Sequence, residues 1–233
     1  MLQRFLLDRR RSVFYLGLMS LGCAGVPVTL LPVTARSVSP DEAREWQVQT
    51  TPSENRLYRF KWNFRDERAS AGGRGSVRIA PPDSLRFDVA GPFNSKPTAA
   101  VIIGDQAQWT DPEDTAKDLL PNYPLMWAMF GVARAAEPGD TISAWVDEDT
   151  RVWQYTAGPD TVQYAQIGGA KPKFLAMVRH AGKLVGQVES RWADDGTLQS
   201  ARLTVPNARL SLEFYRYDTP EVHREGIWRP SAP

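Results

Sequence analysis

Tyr58, Phe60, Trp62 and Phe64 alternate with Arg59, Lys61 and Asn63, so an extended chain here is apolar on one face and wet on the other. A helix cannot sort these side chains, because its 3.6-residue period would scatter them around the whole surface. The same period returns at Leu85, Phe87 and Val89 against Arg86 and Asp88, and at Leu210, Leu212 and Phe214 against Arg209, Ser211 and Glu213. Turn signals punctuate it. Gly104-Asp105 separates 101–103 from 106–110, Gly158-Pro159-Asp160 separates 152–156 from 161–167, and Ala181-Gly182 separates 174–179 from 184–192. Asp195-Gly196 then joins Trp192 to 198–205, ahead of the last run, 208–217. With 142–146, this makes about ten short strands joined by hairpins. Strands that follow one another through tight turns pair antiparallel, and that many in series curl. The expected fold is mainly β (α+β): an open, incomplete antiparallel β-barrel with a few short helices acting as a lid.

Two segments break the alternation. In Ser39-Pro40-Asp41-Glu42, Ser39 suits an N-cap, Pro40 the first helical position and Glu42 the closing member of a capping box, which predicts a short helix to residue 49. The second, 119–133, carries no charge. From Pro124 it predicts a helix through Leu125, Met126, Trp127, Met129, Phe130 and Val132, apolar around most of its circumference and therefore buried on most sides. Its natural seat is the mouth or interior of the curled sheet, and its two methionines suit a surface that repacks. A concave sheet face under a removable apolar helix shelters a greasy ligand from water. Trp62 and Phe87 on the strands, with Leu125, Met126, Trp127, Met129 and Phe130 on the helix, are the candidate cavity and lid. The plainer alternative is that these rings simply fill a core.

The first 35 residues are of another kind. Arg4, Arg9, Arg10 and Arg11 precede a stretch, 12–35, without charge, the pattern of an export signal. Three endings are open. Ser20-Leu21-Gly22-Cys23 resembles a lipobox with its leucine one place late, which would make Cys23 a lipidated N-terminus. Val33-Thr34-Ala35 is a small-residue cleavage site that would release a soluble periplasmic protein. Residues 13–33 are also long enough to stay as an uncleaved membrane anchor, although Pro27 and Pro32 interrupt them. The division is therefore an export segment and tether (1–35), a domain (36–220) and a polar tail (221–233).

Composition narrows the chemistry. Without Arg4, Arg9, Arg10, Arg11 and Asp8 the chain holds 24 basic and 26 acidic residues, a formal charge of −2, which offers no electrostatic reason for a nucleic-acid partner. Cys23 is the only cysteine, so the domain has neither a disulfide nor a thiolate metal site. No G-x-S-x-G or H-E-x-x-H occurs. Gly73-Arg74-Gly75 begins a dinucleotide-like pattern but Arg78 holds the third glycine position, and the cluster Gly72, Gly73, Gly75 reads as a hairpin tip or strand bend. The acidic runs Asp111, Glu113, Asp114 and Asp147, Glu148, Asp149 read as solvated loops, and His180 as an exposed loop histidine. No catalytic, cofactor-binding or metal-ligating set emerges.

Taken together, the pattern resembles the bacterial lipoprotein-localisation proteins of the LolA/LolB type, with LolB the closer. The resemblance is carried by a short helix before strand 56–64, by the glycine-containing strand 73–79, and by Pro82-Asp83-Ser84-Leu85-Arg86-Phe87-Asp88. Gly91-Pro92-Phe93-Asn94 is similar to that family's protruding loop, and Leu125-Met126-Trp127-Ala128-Met129-Phe130-Gly131 to the helix that precedes the second half of its sheet. The closing pair 198–205 and 208–217 also matches; the tail from 221 does not. The resemblance implies an incomplete barrel whose cavity accepts the acyl chains of lipoproteins, and an outer-membrane lipoprotein that helps to localise them. It implies lipoproteins or other acylated ligands, a membrane and a periplasmic carrier protein as partners. Cys23 would be the lipid anchor and Phe93 the exposed apolar residue that hands lipid to the membrane. An envelope sensor or scaffold of the same fold, its cavity filled by its own side chains, is the alternative.

Overall fold

In the computed structural model the described residues are 36–91, 98–104, 106–111, 123–224 and 226–229, with only the backbone described for 107–111. Cys23 and Phe93 lie outside them. In chain order the elements are β1 (Arg36–Ser37), α1 (Pro40–Thr50), β2 (Arg56–Asp66), β3 (Ser70–Ala80), β4 (Ser84–Ala90), β5 (Thr98–Ile103) and β6 (Gln106–Asp111). Then come α2 (Tyr123–Ala128), β7 (Thr141–Asp147), β8 (Thr150–Ala157), β9 (Asp160–Ile167), β10 (Lys173–His180), β11 (Lys183–Trp192), β12 (Leu198–Val205) and β13 (Ala208–Asp218).

All thirteen strands join one sheet in the order β1-β7-β8-β9-β10-β11-β12-β13-β2-β3-β4-β5-β6, antiparallel at every step. The two edges, β1 and β6, do not meet, so the barrel is open as the hairpin series predicts. It is also strongly curled. Leu125 packs where a side chain on Gly186 of β11 would stand, while the Phe130 ring lies 6.4 Å from that of Phe87 on β4. β11 and β4 are five places apart in the sheet, about 24 Å if it were flat. Residues 125 and 130 are separated by only about 8 Å of helical rise, so the two wings must fold toward each other around them.

The period-two reading holds in β2 and β4, whereas β5, β9 and β10 each carry three consecutive buried residues. In β2, Tyr58 and Phe60 are buried and Trp62 and Phe64 half-buried, while Arg59, Lys61, Asn63 and Arg65 are exposed. The inward rings form two clusters. On one wing Trp153 stacks among Trp46 of α1, Tyr164 and Phe174. Burial there pushes the Tyr155 hydroxyl up to about 12 and that of Tyr164 higher still, so both stay neutral at any physiological pH, and they accept from the Trp153 indole and the Arg134 amide. On the other wing Phe60 stacks on Phe87 at 5.3 Å, with Phe214 edge-on to both Tyr58 and Phe60.

α1 begins as the capping signal predicts: Ser39 Oγ accepts from the Glu42 amide at 3.1 Å. The other half of the box goes elsewhere, because the Glu42 carboxylate takes Arg36 Nη2 at 2.5 Å, which holds its pKa below the usual carboxylate value. The glycine cluster is neither a hairpin tip nor a bend. Gly72, Gly73 and Gly75 sit within β3, and the β2–β3 turn lies at 67–69. Phe60 pairs with Gly75 and Trp62 with Gly73, so each ring crosses β3 where no Cβ stands in its way. Trp62 thereby donates its indole N–H to Ala90 O on the far strand at 3.1 Å. Beyond residue 220 the chain stays tied to the sheet: Asn55 Nδ2 donates to Glu221 O at 2.8 Å, His223 Nε2 to Ile79 O at 3.1 Å, and Arg86 Nη1 to Ile227 O at 2.6 Å.

Candidate functional site

The apolar segment is the structural centre of the molecule. α2 is shorter than predicted, six residues, because the backbone turns at Ala128 and reaches a left-handed Gly131 with φ +75°. A Cβ on Gly131 would stand 2.4 Å from the Trp192 ring, so glycine both makes the turn and lets that indole close over it. Leu125, Met126, Trp127, Met129 and Phe130 are all at most 2% exposed. Polar ties pin the segment from several sides. Trp127 Nε1 donates to Gly104 O at 2.7 Å, Ser190 Oγ to Ala128 O at 2.8 Å, and the Ala133 amide to Thr50 Oγ1 at 2.8 Å. The Arg134 guanidinium lies 5.1 Å over the Trp127 ring, and the Arg134 amide reaches the Tyr164 hydroxyl at 3.2 Å.

The candidate cavity and lid residues meet in one core: Phe87 and residues 125–127, 129 and 130 lie within it, and the half-buried Trp62 packs against it while turning across β3 toward Ala90. What they enclose is not open space. Phe130 packs on one wing, 6.4 Å from both Tyr58 and Phe87 and 6.1 Å from Phe214, while Leu125 fills the space over Gly186 of β11 on the opposite wing. The segment is a plug inside the curl rather than a cover above a cavity.

Open volume lies at the rim, where a pocket of about 560 Å³ has Phe130, Gly131, Phe174 and Trp192 in its lining. That size is within the usual range for small-molecule sites. In an antiparallel sheet every second strand starts at the same rim, so β8, β10 and β2 all begin here. They deliver Arg151, Lys173 and Arg56 to the pocket wall, facing Asp147, Glu148 and Asp149 of the β7–β8 turn. Arg56 Nη1 donates to the Tyr58 hydroxyl at 3.2 Å and Arg151 Nη1 to Gln49 Oε1 at 2.7 Å, but the buried Nε of each has no hydrogen-bond partner among the described residues. The pocket therefore joins an apolar floor to a charged rim, a layout suited to an amphiphile. Sequence reading did not find this rim. The only local signal was a cation in the first or second position of three strands that start on the same side.

Elsewhere the chemistry is sparse. His180 Nδ1 lies 2.7 Å from Asp160 Oδ1, but the pair stands on two hairpin ends with side chains 63% and 57% exposed, and neither residue lines the rim pocket. His223 is engaged by a backbone carbonyl and the edge of Trp228. Among the described residues no group of three His, Cys, Asp or Glu is placed to hold a metal ion, and no helix is long and apolar enough to cross a membrane.

No protein-family model matches this sequence, and no relative among curated proteins matches it. Among solved structures, the chain is similar to one described as an outer membrane lipoprotein-sorting protein domain from Vibrio parahaemolyticus. That likeness has 6% identity and a TM-score of 0.49, and covers 82% of this chain and 97% of that one. It is similar to a LolA superfamily protein from Nitrosomonas europaea at 9% identity and a TM-score of 0.35, over 80% of this chain and 96% of that one. A DUF1329 family protein from Desulfovibrio piger matches at 6% identity and a TM-score of 0.31, over 82% and 96%. At such identities and scores, function has to be argued from the site itself.

Proposed function

We propose that this protein is a non-enzymatic carrier or acceptor in the cell envelope that binds acyl chains, free or on lipoproteins, and helps to deliver them to the outer membrane. The observation that carries the reading is the plug: a charge-free segment, 123–133, held within an unclosed sheet and touching the apolar floor of a 560 Å³ rim pocket through Phe130 and Gly131. An acyl tail entering at the rim meets Phe130, Phe174 and Trp192 first, and displaces the plug to go further. Its polar end stays by Arg56, Arg151 and Lys173. The full burial of the plug favours a second reading, a sensor or scaffold whose interior stays filled.

Mass spectrometry of the full chain purified from envelopes separates the two. The carrier reading expects a co-purified acyl lipid that leaves on delipidation and rebinds; absence of lipid together with no uptake of added fatty acid supports the filled scaffold. The same spectra, compared with Cys23→Ser, test the anchor: an acyl mass increment on the wild-type chain that disappears in the variant supports lipidation at Cys23. An unmodified wild-type chain leaves cleavage after Ala35 or retention as the ending. For Phe93, proposed to hand lipid to the membrane, Phe93→Glu is expected to cut transfer to acceptor vesicles at least tenfold with ligand binding unchanged. Undiminished transfer removes that role.

A further inference from the structure

β12, β13, β2 and β3 are consecutive in the sheet, and their inward side chains build the aromatic core. Their outward side chains are another matter. Arg202, Arg209, Arg59, Lys61, Arg65 and Arg74 are all exposed on this one face. Register sets like charges directly across from each other: Arg209 opposite Arg65, Arg216 opposite Arg59, and Lys61 opposite Arg74. Opposed residues in a ladder have Cβ atoms only about 5 Å apart, and like charges so placed destabilise the sheet. The acids nearby relieve little of this. Glu213 stands opposite Lys61, Glu189 stands opposite Arg202 but pairs with Arg191, and Asp218 pairs with Arg216 at 3.0 Å; Arg59, Lys61, Arg65, Arg74, Arg202 and Arg209 have no ion-pair or hydrogen-bond partner among the described residues. Residues 36–233 carry a net −2, so the concentration is one of placement and not of composition.

Two further features lie on or beside this face. The irregularity between Phe214 and Arg216 leaves Tyr215 out of register and 54% exposed beside the Arg59–Arg216 pair. At the other end, Arg65 and Arg209 line a shallow depression of about 340 Å³, together with Asp66, Glu67 and the β12–β13 turn. Asp66 is already used, its Oδ1 accepting the amides of Arg68 and Ala69 at 2.7 and 2.6 Å.

We propose that this outer face docks on an anionic lipid surface, with a headgroup phosphate seated between Arg65 and Arg209. The face lies on the outside of the curl and apart from the shallow end depression is a plain ladder, which suits a broad charged surface better than a shaped protein partner. Each cation held near an anionic leaflet is drawn to it, and an exposed tyrosine prefers the interfacial region. The proposal is independent of what the plugged interior binds.

The test is co-sedimentation of the full chain with phosphatidylcholine vesicles, with and without phosphatidylglycerol. The N-terminal segment is common to every variant, so differences report the face. Above the binding to phosphatidylcholine that the N-terminal segment supplies, binding is expected to rise with phosphatidylglycerol, and that gain to fall with salt. It should weaken about fivefold for each cation removed, measured with Arg65→Gln/Arg209→Gln and with the same pair plus Arg59→Gln/Arg74→Gln. The same variants are expected to melt at higher temperature than wild type, because the like-charge pairs are gone. Equal binding to both kinds of vesicle, or undiminished binding by the fourfold variant, overturns the proposal. So does binding to polyglutamate or DNA in place of vesicles, or full competition by inorganic phosphate at low concentration.

Discussion

Phe130→Ala is expected to destabilise the fold by about 4 kcal/mol, the middle of the range for removing a buried aromatic ring. The reason is position as much as size. Phe130 is 2% exposed and is in ring contact with Tyr58, Phe87 and Phe214 while also bordering the rim pocket. Its loss leaves a void continuous with about 560 Å³ of open space. A urea midpoint with the slope held constant reads the stability, and the void is expected to raise the affinity of an apolar fluorescent probe. A change below about 1 kcal/mol would show that the ring is not packed in solution as it is here. The plug would then spend its time withdrawn, and the wings would already be open to ligand.

Gly73→Ala is expected to cost about 3 kcal/mol, for the opposite reason. An added Cβ would lie 2.0 Å from Ala90 O and 3.0 Å from Trp62 Nε1, the two atoms that bond each other across β3. The nearest obstacle is backbone, so β3 must part from β4 or the Trp62 bond must break. Combining the change with Trp62→Leu is therefore expected to give no rescue. Thermal melting of the single and double variants decides it, and full recovery in the double variant would place the clash on the indole instead.

These two positions also show what could be read from the chain and what could not. Phe130 was legible as part of an uncharged run with no wet face, which in a β-rich domain has to be buried. That it fills the interior could not be read, because the decision depends on how tightly the wings curl, a long-range property. Gly73 was legible as unusual, but its meaning lay in the aromatic opposite it, eleven residues away along the chain and one strand away in space. β1 was invisible for a simpler reason: two residues, Arg36 and Ser37, are too few to show a period. The rim cations were missed because each is an ordinary first or second residue of a strand. Only the register of distant strands makes them neighbours, and the same is true of Arg65 and Arg209.

The β13–β2 seam carries one more consequence. The sheet consists of two meanders of sequential hairpins, β2–β6 and β7–β13, and its middle is the line where Leu57 meets Asp218 and Asp66 meets Ala208. Within each meander, pairing can start from neighbouring residues, but the seam brings together the first long strand and the last. Closing so long a loop is slow compared with forming hairpins. A chain emerging N-terminus first would thus present the bare edge of β2 until its final strand arrived. The interval between those two events is when this protein is most exposed to pairing with the wrong neighbour, and when a chaperone would have something to hold.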